Sequence, residues 1–354
     1  MQWPCRATAV LIGTGALGLG FVVERMAADY DLCLTDVYAK KDLLRQIQVE
    51  QGYILNVCDA VGVQSRRVCG AFQVAFVDDP DGPAALDRAL LEADLVLTAT
   101  DRRILDRVVG RIAPALKART RTSWLLFCEN GLGIAADCAR AFGPQVVCVD
   151  TVMSRMCRFS EPGETGYESF CSGAGTSLIV EEYTYWPLDA ERCQAGPFTP
   201  VFSLLPPAEF RLWEDVKLYL HNGMHAFVSY HAYLEGATRC PQASARIRRE
   251  AQRVMLEEVI PAICRTHRVA RREWLEEYAL ALLDRFFNPY FNDTVERGIR
   301  RIADKLAPGE RLLGGCEYIR RAGLDPVGYA SSITAAQQIL RRRKEETNAP
   351  GHRP

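Results

Sequence analysis

Lys217, His221, Asn222 and His225 fall within nine consecutive residues, Lys-Leu-Tyr-Leu-His-Asn-Gly-Met-His. At about 100° per helical residue, His221 lies about 40° from Lys217, His225 about 80° and Asn222 about 140°, so all four can project toward one side of a helix. Their neighbours Leu218, Leu220 and Phe227 are apolar, and burying polar groups among them is costly unless something polar meets them. The set suits removal of hydride from an alcohol. A base must take the hydroxyl proton as hydride leaves the carbon, and a lysine does this when burial or a nearby cation lowers its pKa. An amide N–H must hold the developing oxygen charge, a task for Asn222.

A second constellation supplies a place for a hydride carrier. Gly13, Gly15 and Gly18 have G-x-G-x-x-G spacing, after the apolar run Ala9–Ile12 and before a helical pattern of Leu17, Phe21, Val22 and Met26. A further apolar run, Leu32–Leu34, then ends at Asp36. Gly13 allows the tight turn, Gly15 the approach of a pyrophosphate, and Gly18 close packing of helix on strand. The pyrophosphate would rest on free N–H groups where Ala16 and Leu17 open the helix. Asp36 would accept from the adenosine ribose hydroxyls and repel a 2′-phosphate, which predicts NAD rather than NADP.

The remaining elements fit around this start. Asp94–Ala99, Trp124–Cys128 and Val146–Asp150 read as buried strands, and Arg102–Leu116 as a helix. Alternation of strand and helix predicts an α/β doubly wound parallel sheet, with ligands outside the strand C-termini. Thr98 to Asp101, Glu129 to Gly131 and Asp150 to Arg155 should border that cleft. Residues 156–208 read as loops and short strands, with Leu178–Val180 the clear one. Helical patterns follow at 211–236, 243–267, 270–286, 293–305 and 326–343, before a charged tail expected to fray. The division is 1–208 for the dinucleotide domain with its connecting segment, and 209–354 for an all-helical domain.

Composition narrows the classes. The 354 residues carry a net charge of −1 and 48% hydrophobic residues. That argues against nucleic-acid or membrane-surface partners, and no apolar run nears the ~20 residues that span a bilayer. The first residues show no signal-peptide pattern, so a cytoplasmic protein, monomer or homodimer, is expected. The 13 cysteines include no C-x-x-C pair and read as reduced, buried small hydrophobes. His221 and His225 have the spacing of a helical zinc pair, but Asn222 stands where a hydrolase has glutamate, and no third ligand is evident. No metal is expected. Arg297, Arg300, Arg301, Lys305 and Arg311 form a basic run, read either as a solvated face or as a holder of a substrate phosphate.

In order along the chain, these segments resemble the polyol-specific long-chain dehydrogenases, the mannitol dehydrogenase family. GTGALGLGF at residues 13–21 is similar to the family's GxGxIGRGF, and CENGLG at 128–133 to its CEN strand end. VDTVMSRM at 149–156 resembles VDxxVDRI, and the run from Lys217 to Leu234 resembles KLxxxNxxHAxxAYLxxL. RFFNPYFNDTVER at 285–297 and KLAPGERL at 305–312 are similar to segments of the mannitol-1-phosphate branch. The resemblance implies a Rossmann domain followed by a mostly helical one, NAD as cofactor and no metal. It implies Lys217 as general base, with Asn222 and Asn130 polarising the reacting oxygen and His225 binding substrate hydroxyls. Thr98, Ala99 and Asn130 fall on the cofactor side, Arg155 beside the substrate, and Lys305 and Arg311 at a phosphate. Three residues depart from the pattern: Leu19 for arginine, Ser154 for aspartate, and Asp101 where a small or apolar residue is usual. The implied reaction is hydride transfer between nicotinamide and a polyol or sugar phosphate, mannitol 1-phosphate to fructose 6-phosphate being the nearest named case. An unphosphorylated polyol, uronate or cyclitol, or a non-catalytic NAD-binding sensor, are the alternatives.

Overall fold

The computed structural model describes residues 6–348. Contacts divide it into two compact units, one reaching to Phe210 and one beginning at Arg211. The first contains β1 (Ala7–Ile12), β2 (Tyr30–Asp36), β3 (Gly52–Cys58), β4 (Val63–Cys69), β5 (Phe72–Phe76), β6 (Leu95–Thr98), β7 (Ser123–Phe127) and β8 (Val146–Asp150). After them come β9 (Cys157–Phe159), β10 (Leu178–Glu181), β11 (Pro187–Asp189) and β12 (Ser203–Leu205). Six strands form one all-parallel sheet in the order β5-β2-β1-β6-β7-β8. Both its faces are covered, by separate apolar clusters that include Leu11, Leu34 and Leu97 on one side and Val10, Val96 and Leu125 on the other. Burial on both faces is why these strands read as continuous apolar runs.

The chain winds outward from β1 through β2 to β5, then returns to the other side of β1 at β6. The crevice of a doubly wound sheet opens at such a reversal, here between β1 and β6. The backbone knits this point together: Gly13 N donates to Thr35 O at 2.8 Å, Ala99 N to Ile12 O at 2.8 Å, and Cys128 N to Thr98 O at 2.8 Å.

Two features of this unit were not expected from sequence. A second sheet, β4-β3-β10-β9, includes an antiparallel hairpin of β3 and β4, and β11 pairs with β12. In β4, Gln64 to Arg67 are all exposed, so its sequence lacks an apolar face.

A continuous helix begins at Pro207, at the end of the first unit, passes in the second through a π segment at Val216–Gly223 and ends at Leu234. Further helices span Ala245–Val254, a second π segment Met255–Val259, Ile260–Thr266 and Arg272–Phe286. The expected helix 293–305 is two short ones, Val295–Ile299 and Ile302–Lys305, separated by Arg301 in a left-handed conformation (φ 60°). That conformation costs a non-glycine residue roughly 1–2 kcal/mol. Leu313–Arg321, whose glycine pair weakens its helical signal, is a helix as well. The last helix runs from Val327 to Asn348, so the residues expected to fray are helical to that point; 349–354 lie outside the described residues.

Two glycines carry opposite predictions. Gly13 has φ +103°, and a Cβ there would meet the Ala99 carbonyl oxygen at 2.5 Å. Gly110 lies exposed inside the helix Arg102–Lys117, with nothing within 4 Å of a Cβ. Gly13→Ala should therefore lower stability by about 2–4 kcal/mol, and Gly110→Ala should raise it by up to about 1 kcal/mol, as read by urea unfolding.

Candidate active site

The glycine turn follows β1. A Cβ on Gly18 would lie 2.1 Å from Gly13 O, so this glycine is demanded by packing, whereas Gly15 opens onto space empty within 4 Å. This is the shape a pyrophosphate needs, with bare backbone on the open side. Ala16 and Leu17 flank it and remain partly accessible.

Asp36 does more than face a ribose. Its Oδ2 accepts from Thr14 N and Thr14 Oγ1, both at 2.8 Å, and from Lys40 Nζ at 2.7 Å; Oδ1 accepts from Val37 N at 2.8 Å. Burial pushes its pKa up, but Lys40 and the two backbone N–H groups outweigh this and hold it below the usual value. One carboxylate oxygen thus ties the glycine turn to β2, and Oδ1 keeps capacity for a ribose hydroxyl.

Thr98 ends β6 with Ala99 just after it, and Asn130 lies exposed just beyond β7. Glu129, which the sequence placed at the border of the cleft without a role, has one here. Its carboxylate is buried and accepts from Thr98 Oγ1 at 2.8 Å, Thr100 N at 2.8 Å and Thr100 Oγ1 at 3.0 Å. Burial raises its pKa, opposed by those donors. It fixes the strand-end backbone at the sheet's reversal, and the CEN motif already contained it.

Three expectations change on this side. Arg155 is not open to a substrate: its side chain is fully buried, donating to Glu181 O and to Gly20 O and Glu24 Oε2, the last two at 3.1 Å. It anchors the helix after the glycine turn. Leu19 is wholly buried in the core and does not take the place of a phosphate contact. Asp101 caps the helix Arg102–Lys117 by accepting from Arg103 N at 3.0 Å, a sufficient reason for an acid there.

In the helical unit, Lys217 and Asn222 both lie in the π segment Val216–Gly223. On an α-helix a spacing of five leaves them about 140° apart. The i→i+5 pattern of a π-helix closes this to roughly 50°, at about 4.4 residues per turn. The sequence estimate is corrected accordingly: the lysine and the amide share a face because the helix is widened there.

His221 is 2% exposed and its Nδ1 has no hydrogen-bond partner. Burial, then Lys217, Arg285, His225 and Arg297, hold its pKa well below the usual range. His225 Nε2 lies 2.8 Å from Asp293 Oδ2. Burial lowers the His225 pKa, with Asp293 opposing. Arg297 donates to both Asp293 oxygens, at 2.6 Å each.

Lys305 Nζ donates to Gly298 O, and Arg311 Nε is buried without a hydrogen-bond partner. Among the described residues neither cation has a carboxylate within ion-pair distance. Burial first, then Arg311, Arg297, Arg300 and Arg301, push Lys305 down to about 7.

His225, Cys240 and Asp293 offer ligand atoms within 4.8 Å of one another. A cation there would have to displace the Arg297 guanidinium from both carboxylate oxygens, so the trio does not suit a metal.

A parallel sheet with a phosphate-shaped glycine turn at its reversal, followed by helices bearing a lysine–amide pair, defines a nicotinamide-dependent dehydrogenase. Comparison with known proteins is more specific. Residues 7–142 match the mannitol dehydrogenase Rossmann domain and 209–348 the mannitol dehydrogenase C-terminal domain. The chain belongs to the mannitol dehydrogenase family. Among its relatives, mannitol-1-phosphate 5-dehydrogenase of Arthrobacter sp. is 28% identical, over 93% of this chain and 85% of that one. The protein of the same name from Emericella nidulans is 25% identical, over 96% and 86%. In fold the chain is similar to Pseudomonas fluorescens mannitol 2-dehydrogenase, solved with NAD and D-mannitol, with a TM-score of 0.72 and 14% identity over 94% of this chain and 79% of that one. It is also similar to a D-sorbitol dehydrogenase, with a TM-score of 0.68 and 15% identity over 95% and 81%. No helix among the described residues is long and apolar enough to cross a membrane.

His221 makes stability pH-dependent. Its folded pKa is depressed, so below its unfolded value of about 6.5 the unfolded chain binds the proton the fold refuses, and stability falls with pH. His221→Leu should flatten the decline between pH 6.5 and 5 by up to about 1.4 kcal/mol per pH unit, measured by denaturant unfolding.

Proposed function

We propose that this protein is an NAD-dependent, metal-independent dehydrogenase of a phosphorylated polyol, interconverting its secondary alcohol with the ketone of a sugar phosphate. The observation that carries the phosphate is the pair Lys305 and Arg311, two half-buried basic side chains that, among the described residues, have no carboxylate within ion-pair distance. Unmatched buried charge costs a fold several kcal/mol, and a phosphate group supplies the missing anion, with arginine's planar fork suited to its oxygens. Fructose 6-phosphate and mannitol 1-phosphate fit this chemistry, as do the names of the relatives above.

NAD, when bound, accepts or returns the hydride. Lys217 takes the hydroxyl proton in oxidation and returns it in reduction. Asn222 donates to the reacting oxygen, a task the family resemblance also gives to Asn130. His225 meets a substrate hydroxyl. Unphosphorylated polyols and uronates are the rival substrates, because the proteins similar in fold include a mannitol 2-dehydrogenase.

The test is NADH oxidation with fructose 6-phosphate beside unphosphorylated fructose. Turnover should require the phosphate. Arg311→Met should raise KM for the phosphorylated sugar by about 100-fold, the worth of one or two charge-assisted hydrogen bonds. Equal turnover of the two sugars, or indifference to the Arg311 change, would overturn the phosphate assignment. Lys217→Ala should lower kcat by about 10²–10⁴; full turnover without it would remove the lysine from the mechanism.

Asp36 sets the cofactor expectation. NADH should outperform NADPH at equal concentration, and Asp36→Ser, which removes the carboxylate and leaves the Lys40 ammonium, should narrow or reverse that preference.

A further inference from the structure

Asp293 is 1% exposed, yet its carboxylate organises two side chains at once. Oδ2 meets His225 Nε2 at 2.8 Å and Arg297 Nη2 at 2.6 Å, and Oδ1 accepts from Arg297 Nε at 2.6 Å. Its own backbone is fixed independently. Cys240 N donates to Asp293 O at 2.9 Å, and Val295 N to Thr238 O at 3.0 Å, so residues 238–240 and 293–295 run side by side. Gly298, one turn beyond Val295, lies so close to Ser229 that a Cβ would sit 2.0 Å from its hydroxyl and 3.6 Å from the His225 ring. The helix bearing Arg297 is therefore pressed onto the helix bearing His225.

A carboxylate only accepts hydrogen bonds. The ring nitrogen facing it must then carry the proton, and the other nitrogen of a neutral imidazole is left as an acceptor. We propose that Asp293 is a positioning residue for the dehydrogenation: it holds His225 as the Nε2–H tautomer, leaving Nδ1 to accept a hydrogen bond from a substrate hydroxyl, and it clamps Arg297 in register with that ring. The inference rests on the dehydrogenase reading above and deepens it. It states which ring atom meets the substrate and requires the substrate group there to be a donor, as a polyol hydroxyl is and a fully ionised carboxylate or phosphate is not. The neutral ring agrees with its surroundings, since burial and the cations Arg297 and Lys305 disfavour the imidazolium.

The experiment is ¹⁵N NMR of protein labelled at histidine, with the His225 signals assigned by their loss in His225→Gln. His267, whose Nε2 lies 2.7 Å from Asp215 Oδ2, is the reference within the same molecule. Native protein at pH 7.5 should show His225 with Nε2 protonated and Nδ1 bare. Asp293→Asn keeps the shape but offers an amide, so the tautomer should change and kcat/KM should fall about 10–100-fold. Asp293→Glu, which keeps the carboxylate, should retain the tautomer and recover part of the rate. An Nδ1–H tautomer or an imidazolium in native protein would overturn the proposal, as would an altered tautomer in Asp293→Asn with kcat/KM unchanged. The native spectrum decides the tautomer even if the asparagine variant does not fold. Failure of the dehydrogenase reading would instead appear as no turnover with any polyol, ketose or sugar phosphate tried.

Discussion

The helical half of the protein depends on where one aromatic ring sits. Tyr329 is 1% exposed. A Cβ on Gly223, the last residue of the π segment, would lie 1.9 Å from its hydroxyl oxygen, and one on Gly315 would lie 2.5 Å from its ring. The hydroxyl donates to Arg311 O at 2.5 Å. The same phenol thus abuts the end of the turn that brings Lys217 and Asn222 onto one face, and fixes the backbone at one of the two unmatched cations. What places the ring is electrostatic. Glu258, buried in the π segment Met255–Val259, accepts from Gly328 N at 2.8 Å and Tyr329 N at 2.9 Å. A carboxylate at the start of the last helix satisfies N–H groups that have no partner within it and opposes the positive end of its dipole. Gly328 allows this approach, since a Cβ there would come within 2.6 Å of Glu258 Oε1.

How much of this was legible in the sequence varies with the kind of signal. The glycine turn, β2 and its terminal Asp36 follow from residue types whose freedom and charge act locally, and each lies where spacing puts it. Membership of the family was legible as well, because ordered motifs survive where overall identity is low. The π segment was not. At its end Gly223 meets Tyr329, more than 100 residues away, and nothing in the local run signals a widened turn. Arg155 shows the opposite failure. A motif aligned it with a substrate-side arginine, but its side chain is buried, with Nε on Glu181 O and Nη1 on Gly20 O and Glu24 Oε2. The β3–β4 hairpin was missed because Gln64 to Arg67 face solvent on both sides of the strand, and the alternation that marks a half-buried strand is then absent.

The distribution of charge is the last constraint. Asp293 is engaged by Arg297 and His225, burial lowers the pKa of both His221 and His225, and among the described residues Lys305 and Arg311 have no carboxylate within ion-pair distance. Evolution could have removed that cost with one nearby carboxylate. A carboxylate there would instead compete with an anionic ligand and repel it, which is how these cations support the proposed phosphate. In the proposed reading, proton transfer and oxygen polarisation fall to the π-turned helix and anion recognition to the segment after the left-handed Arg301. On that reading different segments carry the two tasks, so the substrate's charge could change while Lys217 and Asn222 stay as they are. Family membership therefore identifies the class of reaction, and the charge around Lys305 and Arg311 is what the proposed phosphate answers.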